Sequence, residues 1–451
     1  MNRAPPIRVP LATPRTRFWR ETGLLCAVFF ALLALFPVTT PFDSKLTLLT
    51  TVSLLNEGNI ELDEYTPTFQ RYGHGLFEKN GHTYNYFPLG PSLVALPIMA
   101  LVDAGVWLAQ VHPALEKATA RWRQNRVATG DVNIDYWDDP QRLFASVLMA
   151  LAGGVMYALG LQTGLTRARA LLLSSVFVFC TPALSTASRA LWQHGPSLLC
   201  LALMLLCLVK AQAEPRWAGW AGVPLALAYV MRPTNSVSVL LVPLYVLWAH
   251  PRQALKFFAG AAAVALPWMA VNRAHYGSIL APYYEPQRLE PTGLGFAEAL
   301  LGNLVSPARG LFVFTPLLLL SFWGLLLDIR ARTFTRLHGF LLAIVVLHWL
   351  AISSFPHWWA GHCYGPRFFT DMVPYLVFFL VPVVRTLGWK EPGALRTRTA
   401  MFAVLALVSL SIHVHGASSR SVYRWNSLPV DVDFHPERLW DWKDAQFLGR
   451  R

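Results

Sequence analysis

Residues 24–45 read LLCAVFFALLALFPVTTPFDSK, and this stretch decides the class of the molecule. It is uncharged from Leu24 to Phe36, then meets Pro37 and Pro41 and ends at a carboxylate, Asp43, and Lys45. Hydrocarbon about 30 Å thick takes roughly 20 apolar residues in helical form, and a span over 21–39 satisfies that length. Arg3, Arg8, Arg15, Arg17 and Arg20 precede it. Such a basic flank keeps the near end of a first span in the cytoplasm. No A-x-A-like site closes the run, so it reads as an uncleaved span rather than a signal peptide.

Runs of the same kind recur along all 451 residues, of which 54% are hydrophobic and only 14% charged. Soluble domains carry about 25% charge, which sets aside an ordinary cytosolic enzyme. Strands of a membrane β-barrel would be shorter and alternating. The net charge of +13 belongs to topology rather than to nucleic acid, because basic residues orient membrane proteins. The five cysteines form neither a disulfide framework nor a CxxC metal motif.

Eleven spans are predicted, at about 21–39, 142–162, 168–185, 196–211, 217–232, 236–250, 256–272, 310–328, 337–353, 371–387 and 399–414. A twelfth apolar stretch, 88–110, contains three prolines and Asp103. It either crosses or lies on the surface, and charge counting favours the surface. With the stretch outside the spans, the cytoplasmic segments collect 18 of 38 basic residues and only four of 25 acidic ones. The expectation is therefore an all-α polytopic protein of about eleven transmembrane helices. A basic cytoplasmic N-terminus (1–20) leads into a membrane module (21–414), whose first extracytoplasmic loop (40–141) is large and carries surface helices; a tail (415–451) lies outside. Absence of an internal repeat counts against an inverted-repeat transporter.

Candidate functional groups gather on the outer side of this topology. Asp43 ends the first span, where a carboxylate is costly unless solvated or paired; alternatively it caps a following helix over 44–56. Glu57, Glu61, Asp63 and Glu64 offer a second acid or a metal ligand, or sit in a solvated turn. Tyr84 and Tyr86 lead into Pro88-Leu89-Gly90-Pro91 and either anchor at headgroup level or stack on sugar. Four outer segments each present an arginine: Arg189, near Trp192 and His194; Arg232-Pro233-Thr234-Asn235; Ser306-Pro307-Ala308-Arg309-Gly310; and the run His357 to Arg367 with Trp358, Trp359 and His362. Each guanidinium alone can snorkel toward headgroups; on one face together they suit a phosphate, which the planar fork binds well. His357, His362 and Cys363 match no usual zinc spacing and lack a fourth ligand, so no metal ligands are assigned and the cofactor is left unknown, a divalent metal included. The tail, with Trp425, Asp431, Asp433 and Trp440, is too polar to cross.

The order of these features resembles the GT-C class of integral membrane glycosyltransferases, to which protein O-mannosyltransferases and aminoarabinose transferases belong. The likeness rests on Asp43 with its large outer loop, on Tyr86-Phe87-Pro88-Leu89-Gly90-Pro91, and on the motifs around Arg232, Arg309 and Trp359 to Arg367, and it covers about 21–414. Ser44 stands where a second acid would pair with Asp43, leaving that acid unassigned, and no large soluble C-terminal domain follows. The resemblance implies a GT-C-like fold in the cytoplasmic (inner) membrane with an extracytoplasmic active site. It implies a polyprenyl-phosphate-linked sugar as donor and an extracytoplasmic glycan, lipid or protein as acceptor, with no nucleic acid involved. Asp43 is then the general base or acceptor-orienting acid. Arg309 and Arg367 hold the donor phosphate, with Arg232, Arg189 and His362 behind them. Tyr84, Tyr86, Trp358, Trp359 and Glu57 contact sugar or acceptor. Two other classes stay open: a transporter or lipid flippase without transferase activity, and a structural membrane subunit.

Overall fold

A computed structural model describes residues 15–285, 293–388 and 393–449. The described chain is nearly all helix; among the described residues two short strands, Leu76–Lys79 and His82–Asn85, pair as one antiparallel hairpin. Among the described residues, seven helices are long and apolar enough to cross a membrane. They are Gly90–Ala109, Ile134–Gln162, His194–Ala211, Pro251–Tyr276, Arg336–Ser353, Arg367–Thr386 and Arg396–Ser418. Gly90–Ala109, which charge counting keeps on the surface, is one of these seven.

Several other expected spans are helical but interrupted, and the residues responsible are legible. The 168–185 stretch runs as a helix to Phe179 and then, past Pro182, winds into a π turn at Ala183–Ala187. The 217–232 stretch divides into Arg216–Trp220 and Gly222–Met231. The 310–328 stretch breaks at Pro316 before Leu319–Arg330. The first helix, Arg15–Ala34, has the expected length but carries Arg15, Arg17, Arg20 and Glu21 in its opening turns.

Helix Asp138–Gln162 is central, packed against Arg15–Ala34, Arg167–Phe179 and His194–Ala211. Close approach here depends on glycine. A Cβ on Gly154 would sit 2.5 Å from the Cys26 sulfur of the first helix, and, where Gly222–Met231 meets Pro251–Tyr276, one on Gly222 would sit 2.0 Å from the Phe257 carbonyl oxygen. Membrane helices use small residues in this way, since packing rather than water exclusion joins them. Large apolar side chains such as Leu101, Leu255, Leu266 and Leu407 remain exposed on the outward helix faces.

The first large loop is well structured. Its helix Thr47–Asn56 is buried from Thr47 to Ser53 instead of lying on a surface. Thr51 donates to the Ser92 carbonyl at 3.1 Å and Ser92 donates to the Thr47 carbonyl at 2.9 Å, joining it to Gly90–Ala109. Asp103 accepts from Trp122 at 2.7 Å and from Arg126 at 2.9 Å, which folds helix Pro113–Val127 back along Gly90–Ala109.

Candidate functional site

Asp43 caps no helix, because Thr47–Asn56 begins with Leu46 as its N-cap. Its carboxylate instead pairs with the Arg367 guanidinium, 324 residues away in sequence. His74 approaches the other oxygen at 3.4 Å. The Arg367 guanidinium lies over the Trp192 ring, 3.7 Å from its centre. It donates to the Ala360 carbonyl at 3.3 Å and, through Nε, to His194 Nε2 at 3.2 Å. Burial alone would raise the Asp43 pKa, but the positive charge of Arg367 and the His74 contact outweigh it and hold the carboxyl down to about 2.

Beneath this pair lies a second one. Arg232 contacts His194 and sits 3.0 Å from the fully buried Asp371 carboxylate. Asp371 also accepts from Ser197 at 2.8 Å, and Asn235 donates to that serine at 2.8 Å. A continuous polar chain thus runs Asp43, Arg367, His194, Arg232, Asp371. Guanidinium donors of both arginines are directed at His194 Nε2, whose single lone pair accepts from one of them at a time, so the imidazole sits between the two cations.

A cavity of about 1050 Å³ opens over this chain. Asp43, His74, Arg232, Thr234, His357 and Arg367 supply its polar wall; Tyr86, Phe87, Tyr229, Tyr283, Tyr284, Phe355 and Phe368 supply an aromatic one. Cavities that hold small ligands measure about 300–1,000 Å³ and combine apolar walls with a few convergent polar groups. This one matches that description at the upper end.

Of the residues given a catalytic, phosphate-binding or sugar-contact role from sequence, Asp43, Arg232, Arg367 and Tyr86 line the cavity, and Thr234, His357 and Phe87 of the same motifs join them. Arg309, Arg189, His362, Trp358, Trp359, Tyr84 and Glu57 are not among the lining residues. Arg309, expected at a phosphate, is 2% exposed and spends every N–H on protein. It donates to the carbonyls of Trp359, Ala308 and Gly361 and to the side chains of Gln446 and Asn426, at 2.7–3.0 Å. It therefore clamps the tail to the 357–367 loop and has no donor left for a ligand. Arg189 is equally enclosed; it holds the Leu33 and Phe36 carbonyls at the end of the first helix. His362 faces Asp431 and Asp433. Trp358 is packed on Gly302, and Trp359 donates to Asp433 at 2.7 Å. Tyr84 is buried against Glu61, and burial followed by the Glu61 charge pushes its phenol up to about 12. Glu57 is exposed and meets Asn59 at 3.4 Å.

Three participants escaped the sequence-based choice of site residues: His74, His194 and Asp371. Asp371 carried a usable signal, being a carboxylate at the head of an apolar run, the same reason that marks Asp43. His74 sits in a polar loop with no distinguishing pattern.

Arg309→Lys tests the clamp. Lysine brings three donors in place of five, so buried carbonyls lose partners at about 1–3 kcal/mol each. The expected result is a loss of about 2–4 kcal/mol of stability, with the 425–449 tail becoming cleavable by added protease. A tail that stays protected and an unchanged melting temperature would remove Arg309 from this role.

No protein-family model matches the chain, and no curated protein matches it significantly.

Proposed function

We propose that the protein is a GT-C-type membrane glycosyltransferase that moves a sugar from a polyprenyl-phosphate carrier to an acceptor on the extracytoplasmic face. The observation that carries this reading is the Asp43–Arg367 pair on the wall of a large aromatic cavity, with Arg232 beside it. The proposed membrane arrangement has eleven spans, with 88–110 lying on the outer surface and the tail outside, as the positive-inside rule favours.

The chemistry follows from what each group can do. An acceptor hydroxyl attacks the anomeric carbon, the bond from that carbon to the phosphate oxygen breaks, and polyprenyl phosphate leaves with the electron pair. Arg367 and Arg232 meet the charge that grows on the phosphate, where fixed cationic donors act most strongly. Aromatic faces such as Tyr86 and Tyr283 receive the sugar ring. Asp43 orients the acceptor and takes its proton. A carboxylate held near 2 is a weak base at neutral pH. A donor phosphate that recruits Arg367 relieves that restraint, so donor binding itself raises the basicity of Asp43. Under this reading the resting ion pair is a latch that the correct donor opens.

Binding of polyprenyl phosphate to the purified protein tests the phosphate role. A charge-assisted hydrogen bond is worth about 1.5–3 kcal/mol, so Arg367→Ala is expected to weaken this binding roughly 10–100-fold. Arg367→Lys should recover only part of it, because an ammonium lacks the planar fork. Unchanged affinity in Arg367→Ala would count against the reading. Sugar transfer against ligand movement across a bilayer, measured on one reconstituted sample, separates an enzyme from a transporter or flippase.

A further inference from the structure

We propose that His362, Asp431 and Asp433 form a divalent transition-metal site, with zinc the preferred ion, that fastens the C-terminal tail to the loop carrying Arg367. The three residues come from segments about 70 positions apart, yet one ligand atom from each lies within 4.8 Å of the others. His362 Nε2 is 3.0 Å from an Asp431 oxygen and 3.6 Å from an Asp433 oxygen. Ligands bound at about 2.0–2.2 Å in a tetrahedron stand roughly 3.2–3.6 Å apart. The observed separations need only small adjustments to enclose an ion. One nitrogen with two carboxylates is a donor set that suits zinc, and three protein ligands leave a fourth position for water.

Ion pairing alone explains this cluster less well. A single imidazole N–H serves the nearer Asp431 oxygen, while the Asp433 oxygen at 3.6 Å lies beyond hydrogen-bond range. Two carboxylates then face one another across one histidine, an arrangement that a dication relieves. The Asp433 carboxylate is also aimed from behind: Trp359 donates to its Oδ1 at 2.7 Å, which turns Oδ2 toward His362. Asp431 Oδ1, which faces His362, also accepts from the Asp433 amide at 2.9 Å and keeps a further lone pair for an ion. Metal sites use outer partners in this way to aim their ligands. Each of the three side chains is about one-third exposed, so an ion can enter.

A second cluster, Glu61, Asp63 and His82, serves as the internal comparison. Asp63 is already committed on both oxygens, to the Thr83 amide at 2.7 Å and to His82 at 2.6 Å. Those three groups lie within one turn and its hairpin, and His275 of the Pro251–Tyr276 helix approaches Glu61 at 3.7 Å. At His362 the ion would brace the same loop that Arg309 clamps, one layer behind the cavity: the Phe42 ring lies 6.3 Å from His362 and 4.2 Å from His74. The site does not depend on glycosyl transfer being the reaction.

The test uses full-length protein in detergent, stripped with chelator and reloaded with Zn²⁺ or Co²⁺. Expected are one bound equivalent at this site, a Co²⁺ optical spectrum displaced by Zn²⁺, and a melting temperature raised by the metal. Asp431→Asn with Asp433→Asn should abolish all three. Trp359→Phe should weaken Zn²⁺ binding roughly 10–100-fold, the usual cost of an outer partner. Glu61→Gln with His82→Gln should leave the Asp431- and Asp433-dependent equivalent in place. Equal uptake by wild type and the double asparagine variant means an ion pair only and overturns the proposal, as does loss of that equivalent in the Glu61/His82 variant. Should the asparagine variant fail to fold, the Cu²⁺-loaded Glu61→Gln, His82→Gln variant decides: electron paramagnetic resonance must show one coordinated imidazole, and its absence overturns the site.

Discussion

Asp43→Asn is expected to lower sugar transfer by about 10²–10⁴-fold, the range for loss of a general acid or base, with folded protein still recovered. Asparagine keeps the shape and one acceptor oxygen but removes the charge that faces Arg367 and His74. Polyprenyl phosphate binding should survive, or tighten, because Arg367 no longer has a carboxylate competing for it. That split, with turnover lost and donor binding kept, is what separates a reacting carboxylate from a merely structural one. Retained turnover would remove Asp43 from the mechanism. The same variant has a second signature in acid. The folded-state pKa of Asp43 is depressed to about 2 from an ordinary 3.8. Its contribution to stability is therefore fully present above about pH 4 and is lost as pH falls through about 2, amounting to about 2 kcal/mol. Denaturant melts between pH 5 and pH 2 should show this loss in wild type and a flatter course in Asp43→Asn. Parallel curves would mean that the pair contributes nothing to folding.

Asp371→Leu is expected to cost about 3–5 kcal/mol of stability, the usual penalty for stranding one partner of a buried ion pair. Arg232 and Asp371 are both enclosed, with Asp371 fully buried. Among the described residues Asp371 is the carboxylate paired with Arg232. Ser197 and Asn235 would lose their place in the network as well. Adding Arg232→Met should recover most of the loss, because well-packed apolar replacements of a buried pair are often neutral or better. The double variant should nevertheless remain inactive, since Arg232 lines the cavity and is given a role in holding phosphate. Thermal melts and transfer assays on the single and double variants check both halves. A single substitution costing under about 1 kcal/mol would mean that the pair is not the buried unit described. An active double variant would remove Arg232 from the site.

How far the site could be read from sequence depended on which residues were asked. Arg232 and Arg367 stood out because several outer segments place a guanidinium on one face, and Asp43 because a carboxylate at a water–lipid boundary is expensive and needs a reason, a rule that acts one residue at a time. The same rule, applied without exception, reaches Asp371. The guanidinium pattern cannot separate Arg367 from Arg309 and Arg189, which look alike in sequence and differ only in what surrounds them. Arg367 leans on Trp192 at the cavity wall, whereas Arg309 is saturated by Gln446, Asn426 and backbone carbonyls brought in by the tail. Trp358 and Trp359, plausible sugar platforms by composition, turn away for the same reason: Gly302 leaves room for one ring and Asp433 holds the other.

The sequence by itself determined that the protein is helical and apolar enough to live in a membrane, because hydrophobic transfer acts on contiguous stretches and adds along the chain. It also determined which positions carry charge in the loops and where proline and glycine interrupt helices. Tertiary structure alone decided which arginine is a clamp and which meets the cavity, that Asp43 is held in a resting pair, and that His362 faces two aspartates from the tail. Partnership between side chains depends on segments hundreds of residues apart arriving within about 3 Å of each other, and no local pattern records that.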